Sequence, residues 1–246
     1  MKLAKQLKSL AEILMEHRIL KEFQIHTQNG GRVFTFTDGL FFNAVLKPTE
    51  EPCGQIDGLV SALVGEFLIL ALDFGDNADI LLSDERVIGY PYFSFILADD
   101  EREHKVYLEI LDYKEKIYQF FDRPHPDNHF ILSANDKDKV LNLIRGQFEV
   151  FFELEGSGAR MPFKLHTNAV VSDFVSVKGA VPSCKKIRFV DDSLRSLELF
   201  LERAQSDIKI SWGWGWVDTF FAEVSGYLGD GFVTLRYFVP DVEVGY

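Results

Sequence analysis

The sequence has little cysteine and little proline. Of its 246 residues, two are Cys and eight are Pro. Cys53 and Cys184 lie far apart and outside any CxxC or Cys/His pattern, so they indicate reduced thiols rather than a disulfide framework or a zinc module. With 23 Phe and 14% aromatic residues, the composition favours ordered, strand-rich structure over disorder.

Long apolar segments are also missing. The longest, Leu59 to Leu72, is too short to cross a bilayer and contains Glu66. Near the N-terminus, Glu12 and Glu16 interrupt the apolar segment that a signal peptide would need. We therefore expect a cytoplasmic protein that does not contact a membrane.

Basic residues are fewer than acidic ones. Asp and Glu total 38 against 26 Lys and Arg, which gives a net charge of -12. An acidic surface repels phosphate backbones and attracts basic molecules. The charge predicts a basic protein partner and no direct contact with nucleic acid, and it leaves the oligomeric state open.

Local catalytic motifs are absent as well. The sequence has no GxSxG, no GxxxxGK[ST] and no GxGxxG, so no cofactor is expected and the question of enzymatic activity stays open. The segment Leu70 to Gly75 resembles the phosphate-binding strand of sugar kinases and actin-like ATPases, although the Gly/Thr pair that should follow it is missing.

Two groups of polar residues could carry chemistry. Asp73, Asp76 and Asp79 follow an apolar segment, where carboxylates could bind Mg²⁺ or act as a general base. The alternative is a solvated acidic turn. The second group has metal-ligand residue types in a proline-containing loop, and three residues there do not reach a convincing site, so we expect no bound metal. Its members are His125, Asp127 and His129.

The most distinctive segment contains every tryptophan of the chain. Trp212, Trp214 and Trp216 alternate with glycine, which on a β-strand places all three indoles on one face. Ile208 and Ile210 continue that face, which favours a core position beneath a helix. The alternative is a surface that stacks a ligand or anchors a partner protein.

The spacing of apolar residues, together with a proline-containing loop, divides the chain into two halves. Residues 1–123 begin with an amphipathic helix, Met1 to Phe23, followed by a hairpin around Asp38-Gly39. The loop from Arg123 to Asn128 is a soft boundary, and one domain is the alternative to two. Residues 130–246 form the second half.

The second half predicts two helices and a group of strands. A helix is expected over Asp136–Glu153, and another, capped by Asp192 or Ser193, through Ala204. Residues 207–239 then predict a three-stranded antiparallel meander. The predicted fold class is α+β: a mostly antiparallel sheet with helices packed on one face, ending in a C-terminal helix plus that meander.

These features support three functional hypotheses. The first is a non-catalytic interaction protein, for example of the immunity or antitoxin type, which neutralises a basic partner through the tryptophan row together with Asp241 and Glu243. The second is a small metal-dependent hydrolase centred on the Asp73 to Asp79 segment. The third is a ligand-binding module that uses the tryptophan face.

Overall fold

The computed structural model describes residues 3–16, 22–28, 31–37, 42–48, 60–63, 79–87, 90–98, 101–109, 128–154, 161–167, 171–179, 186–214, 220–229 and 231–238. The described elements up to residue 109 are α1 (Leu3–Met15), β1 (Glu22–Gln28), β2 (Gly31–Thr37), β3 (Phe42–Lys47), β4 (Val60–Leu63), β5 (Asp79–Val87), β6 (Tyr90–Ala98) and β7 (Glu103–Glu109). The later ones are β8 (Asn128–Leu132), α2 (Ala134–Ile144), β9 (Glu149–Leu154), β10 (Met161–Thr167), β11 (Val171–Gly179), β12 (Lys186–Val190), α3 (Asp191–Arg203), β13 (Ile208–Trp214), β14 (Phe220–Leu228) and β15 (Gly231–Phe238).

The chain forms two compact units. The first comprises Met1–Asp122 together with Leu228–Val233, and the second comprises Arg123–Tyr227 together with Thr234–Tyr246. Strand β15 therefore begins in the first unit and ends in the second. Compactness does not test independent folding, so the division into domains 1–123 and 130–246 stays a prediction.

The first unit contains antiparallel strands in the order β3-β2-β1-β4 and a helix, α1. The predicted hairpin is confirmed, because β2 pairs with β3 from Phe34↔Leu46 to Thr37↔Asn43. The predicted first helix was too long. Helix α1 ends at Met15, and β1 begins at Glu22, so the apolar spacing had continued from a helix into a strand.

A separate antiparallel sheet of the first unit has the order β5-β6-β7. Strand β6 is the central strand of this sheet and pairs with both β5 and β7. Among the residues described, β7 has a paired neighbour on one side only, namely β6. Strand β4 also lies close to β7, although no pairing between these two strands is seen among the described residues.

The second unit is built on a sheet with the order β12-β9-β10-β11-β8-β13-β14, and each of these pairings is antiparallel up to β14. Helices α2 and α3 pack against each other, and α3 also contacts β9 and β12. Helix α3 begins at Asp191 after the N-cap residue Val190, so the predicted cap at Asp192 or Ser193 was placed too late. Ser193 lies in the first turn and accepts a hydrogen bond from the backbone N–H of Val190 at 3.0 Å. The leucines and Phe200 on one side of α3 are buried.

Only the first part of the helix predicted over Asp136–Glu153 is helical, and the last part forms a strand. Helix α2 ends at Ile144, and Gly146 adopts φ +72°, a left-handed conformation that stops a helix. Strand β9 follows, and Val150 and Phe152 are fully buried. The prediction failed because Phe148, Phe151 and Phe152 also fit helical spacing, which a run of aromatic residues cannot distinguish from a strand.

The predicted C-terminal helix plus three-stranded meander is wrong as an architecture. Strands β13, β14 and β15 are consecutive neighbours, but β13 also pairs with β8 along its other side. Ile210, for example, lies opposite Val224 on β14 and opposite Phe130 on β8. The three strands are therefore part of a larger sheet, and strands rather than helices dominate the described part of the chain.

Candidate interaction surface

The tryptophan row lies on β13, and its first member is in the core. The side chains of Ile208, Ile210 and Trp212 are fully buried, as the alternation of a strand requires when one face is covered. Trp214 ends β13, although its side chain is outside the described set, as is the whole of Trp216. The core interpretation therefore holds for Trp212, and the use of Trp214 and Trp216 in binding stays a prediction.

Trp212 begins a chain of aromatic contacts through the second unit. Its indole meets the ring of Phe130 edge-on at 5.8 Å between centroids, and Phe130 meets Phe152 at 6.3 Å. Phe152 contacts Phe189 at 5.4 Å, and Phe189 contacts Tyr237 at 5.7 Å. Edge-to-face pairs of this kind add to the burial energy of the rings. The largest aromatic side chains of this unit therefore hold its core together.

Tyr237 connects this core to α3. Its hydroxyl lies 2.8 Å from the Ser196 hydroxyl, and both side chains are buried. Burial raises the pKa of Tyr237, so the phenol stays neutral and supplies a structural hydrogen bond.

The opposite face of β14 and β15 carries a buried ion pair. Glu223 accepts a hydrogen bond from Nε of Arg236 at 2.6 Å and a second one from its Nη2. The guanidinium also lies over the ring of Phe221, 4.6 Å from its centroid. Because both charges are buried, removing either one would leave the other without a compensating charge. The cluster is therefore structural.

His129 lies on the same face of the sheet, on β8. It is opposite Ser211 of β13, which is in turn opposite Glu223. Burial lowers the pKa of His129, and the nearby Lys209 ammonium lowers it further. The imidazole is therefore neutral at physiological pH.

Most of the other residues proposed from sequence are not described. Asp73, Asp76, His125, Asp127, Asp241 and Glu243 lie outside the described residues. Asp79 is the first residue of β5. Within the described ranges, no three His, Cys, Asp or Glu side chains come close enough to hold a metal ion. The hydrolase and metal hypotheses therefore gain no support from the described geometry.

Sequence reasoning missed the exposed apolar side chains. Four large ones are exposed among the described residues: Met15, Ile131, Phe148 and Tyr227. Ile131 and Tyr227 share the outward face of the second unit's sheet, because Ile131 lies opposite Lys209, Lys209 lies opposite Ser225, and Tyr227 follows Ser225 by two residues. No local signal could reveal this group, since its strands are distant in sequence.

Comparison with known proteins places the fold. No protein-family model and no curated protein matches the sequence. Solved structures do match. One is the PCNA2-PCNA3 complex of Sulfolobus tokodaii, with a TM-score of 0.64 at 10% identity, over 96% of this chain and 96% of that one. Another is the Proliferating Cellular Nuclear Antigen of Entamoeba histolytica, with a TM-score of 0.62 at 10% identity, over 97% of this chain and 96% of that one.

This similarity corrects the predicted α+β class. Both matched proteins share the chain's fold over nearly its whole length, so the fold is that of proliferating cell nuclear antigen, with extended sheets and few helices. The expected interaction role is compatible with this fold. Among the described residues, no helix is long and apolar enough to cross a membrane.

Proposed function

We propose that this chain is a non-catalytic protein-interaction subunit of the sliding-clamp type. The observation that carries the proposal is the shared fold over at least 96% of both chains in each comparison. A match of that extent includes both compact units, so it does not rest on one common supersecondary motif. The immunity-type and hydrolase hypotheses have no support from these comparisons, and a cytoplasmic location stays a prediction.

The similar structure from Sulfolobus tokodaii is a complex of two different chains, PCNA2 and PCNA3. Strand β7 of this chain offers a route to such an assembly, because it ends the order β5-β6-β7 and, among the described residues, is hydrogen-bonded to β6 alone, with β4 close by. An unpaired strand edge presents backbone N–H and C=O groups that pair readily with a strand of another chain. We propose that β7 makes such a pairing with a second clamp-type chain, or with a second copy.

The net charge of the chain affects whether it can bind nucleic acid. The sequence-based expectation that the chain does not bind nucleic acid rests on its net charge of -12 alone, and a clamp-type fold weakens that expectation. We propose that protein contacts come first, and that any nucleic acid is held mainly by basic partner chains.

Two neighbouring proline substitutions test the assembly. Successive N–H groups of a strand point to opposite sides. One of the two variants Val106→Pro and Tyr107→Pro therefore removes an N–H that faces β6, and the other removes an N–H on the side away from β6. We expect one variant to lose thermal stability. The other should keep its melting temperature and lose assembly, measured by light scattering on the chain alone and mixed with clamp-type chains of the same organism.

The two variants control for each other, because both introduce the same residue into the same strand. If the wild-type chain stays monomeric alone and with every clamp-type chain, the proposal is wrong. If both variants assemble like the wild type, assembly does not use β7.

A further inference from the structure

Lysine positions on two strands lie in one row across the second unit's sheet. Lys178 of β11 lies opposite Ile131 of β8, which lies opposite Lys209 of β13, which lies opposite Ser225 of β14. Residues directly opposite each other on neighbouring strands share a face. Neighbouring strands are about 4.8 Å apart, so the two lysine positions are about 10 Å apart across Ile131. We call these four residues the lysine row.

Two acidic residues lie near the lysine row, and neither pairs with Lys209. Glu223, two residues before Ser225 on the same face of β14, is buried and paired with Arg236. Asp207, just before β13, accepts a hydrogen bond from the backbone N–H of Ala134 at 3.0 Å. No described carboxylate makes an ion pair with Lys209. Lys209 is therefore a cation without a carboxylate partner among the described residues, on a protein whose net charge is -12.

Apolar surface adjoins this positive charge. The Ile131 side chain is 40% exposed, and Tyr227, two residues beyond Ser225 on the same face, is 47% exposed. Tyrosine is enriched at protein interfaces because it buries a large ring and keeps a polar hydroxyl. Lys209 lies between these two side chains, so apolar groups flank a cation.

We propose that the lysine row and Tyr227 form a docking surface for an acidic segment of a partner protein, in which apolar side chains flank one or two carboxylates. A carboxylate would meet Lys209, and the apolar side chains would cover Ile131 and the Tyr227 ring. This inference rests on the proposed function, since it gives the chemistry of one class of protein partner. It also differs from the sequence-based expectation of a basic partner, which considered only the overall charge.

A labelled peptide tests the surface directly. The probe is fluorescein-Ser-Leu-Glu-Phe-Glu-Leu-Ser, and the matched probe replaces both Glu with Gln. Fluorescence anisotropy with the wild-type chain should show that the acidic peptide binds and that binding weakens as salt rises, because ions screen over about 8 Å at physiological ionic strength. The Gln peptide should bind about tenfold more weakly.

Matched variants assign the site. Lys209→Glu should weaken the acidic peptide about tenfold or more, and Tyr227→Ser should do the same without changing charge. The control is Lys139→Glu, which makes the same charge change on the exposed side of α2, where the Lys139 side chain is 62% exposed. That variant should change affinity less than about twofold. Lys209→Met keeps the apolar part of the side chain and removes the charge, and it replaces Lys209→Glu in the assay if that variant does not fold.

Three results would overturn the inference. The first is no binding of the acidic peptide, and the second is an equal effect of Lys139→Glu and Lys209→Glu, which would indicate net charge alone. The third is tighter binding of a 12-nucleotide oligothymidylate than of the peptide, which would assign the row to phosphates. All measurements use the chain alone, so a failure of assembly through β7 would leave this test intact.

Discussion

The buried pair of Glu223 and Arg236 allows a quantitative test of the sheet. Their side chains are 8% and 5% exposed, respectively, and the guanidinium also contacts the Phe221 ring. Arg236→Met leaves the Glu223 carboxylate buried without this cation. Breaking a buried pair from one side costs about 3–5 kcal/mol, a large share of a total stability of about 5–15 kcal/mol.

The double variant Glu223→Leu with Arg236→Met should behave differently. It removes both charges together, and replacing a buried ion pair with apolar residues is often neutral or stabilising. We therefore expect the double variant to regain at least about 2 kcal/mol of the free energy of unfolding that Arg236→Met loses. The control Arg195→Met disrupts a half-exposed pair with Glu198 and should cost at most about 1 kcal/mol.

Urea unfolding followed by tryptophan emission measures these effects. All three tryptophans lie between residues 212 and 216, inside the second unit, so the signal reports on the unit that contains the pair. A double variant as unstable as Arg236→Met, or a cost of less than about 1 kcal/mol for Arg236→Met, would refute the reasoning. The first outcome would mean that the sheet needs these side chains for their shape, and the second that water reaches Glu223.

Two further predictions concern glycine and histidine. Gly231→Ala should destabilise the first unit by about 1–3 kcal/mol in calorimetry, because the new Cβ would lie 2.6 Å from Gln6 Oε1 and 2.9 Å from Leu46 Cδ1. Gly146→Ala, which meets no atom within 4 Å, should cost only about 1 kcal/mol through its positive φ, and equal costs would contradict the steric argument. The lowered pKa of His129 means that the unfolded chain takes up this proton first as pH falls below about 6.5. The wild type should therefore lose more stability than His129→Gln between about pH 7.5 and 5.5 in urea titrations, and parallel losses would exclude a role for His129.

The sequence predicted local elements better than their arrangement. Alternating apolar residues predicted β2 and β3, and the strand bearing Ile208 and Ile210 was placed correctly, because a strand with one covered face has a period of two. What periodicity could not supply was the partner of each strand. The pairing of β13 with β8 joins segments that are about 80 residues apart, and it turned an expected three-stranded meander into part of a larger sheet.

The candidate surface was hidden from sequence for the same reason. Lys178, Ile131 and Lys209 come from three strands, and each alone is an ordinary strand residue. Only the register brings them onto one row. The tryptophan row is recognisable in the sequence because its residues are neighbours there, yet Trp212 is fully buried. Adjacency in sequence is thus a poor guide to surfaces built from antiparallel strands.

The division of β15 between the two compact units has a consequence for biosynthesis. Residues 228–233 belong to the first unit, where Gly231 approaches Gln6 and Leu46, although they are translated more than 100 residues after Asp122. A ribosome must therefore reach residue 233 before the N-terminal unit receives this segment. At a synthesis rate of about 5–20 residues per second, the nascent N-terminal unit stays incomplete for several seconds. During that interval its unfilled position is open to chaperones, and a fragment ending at Asp122 would keep that defect permanently.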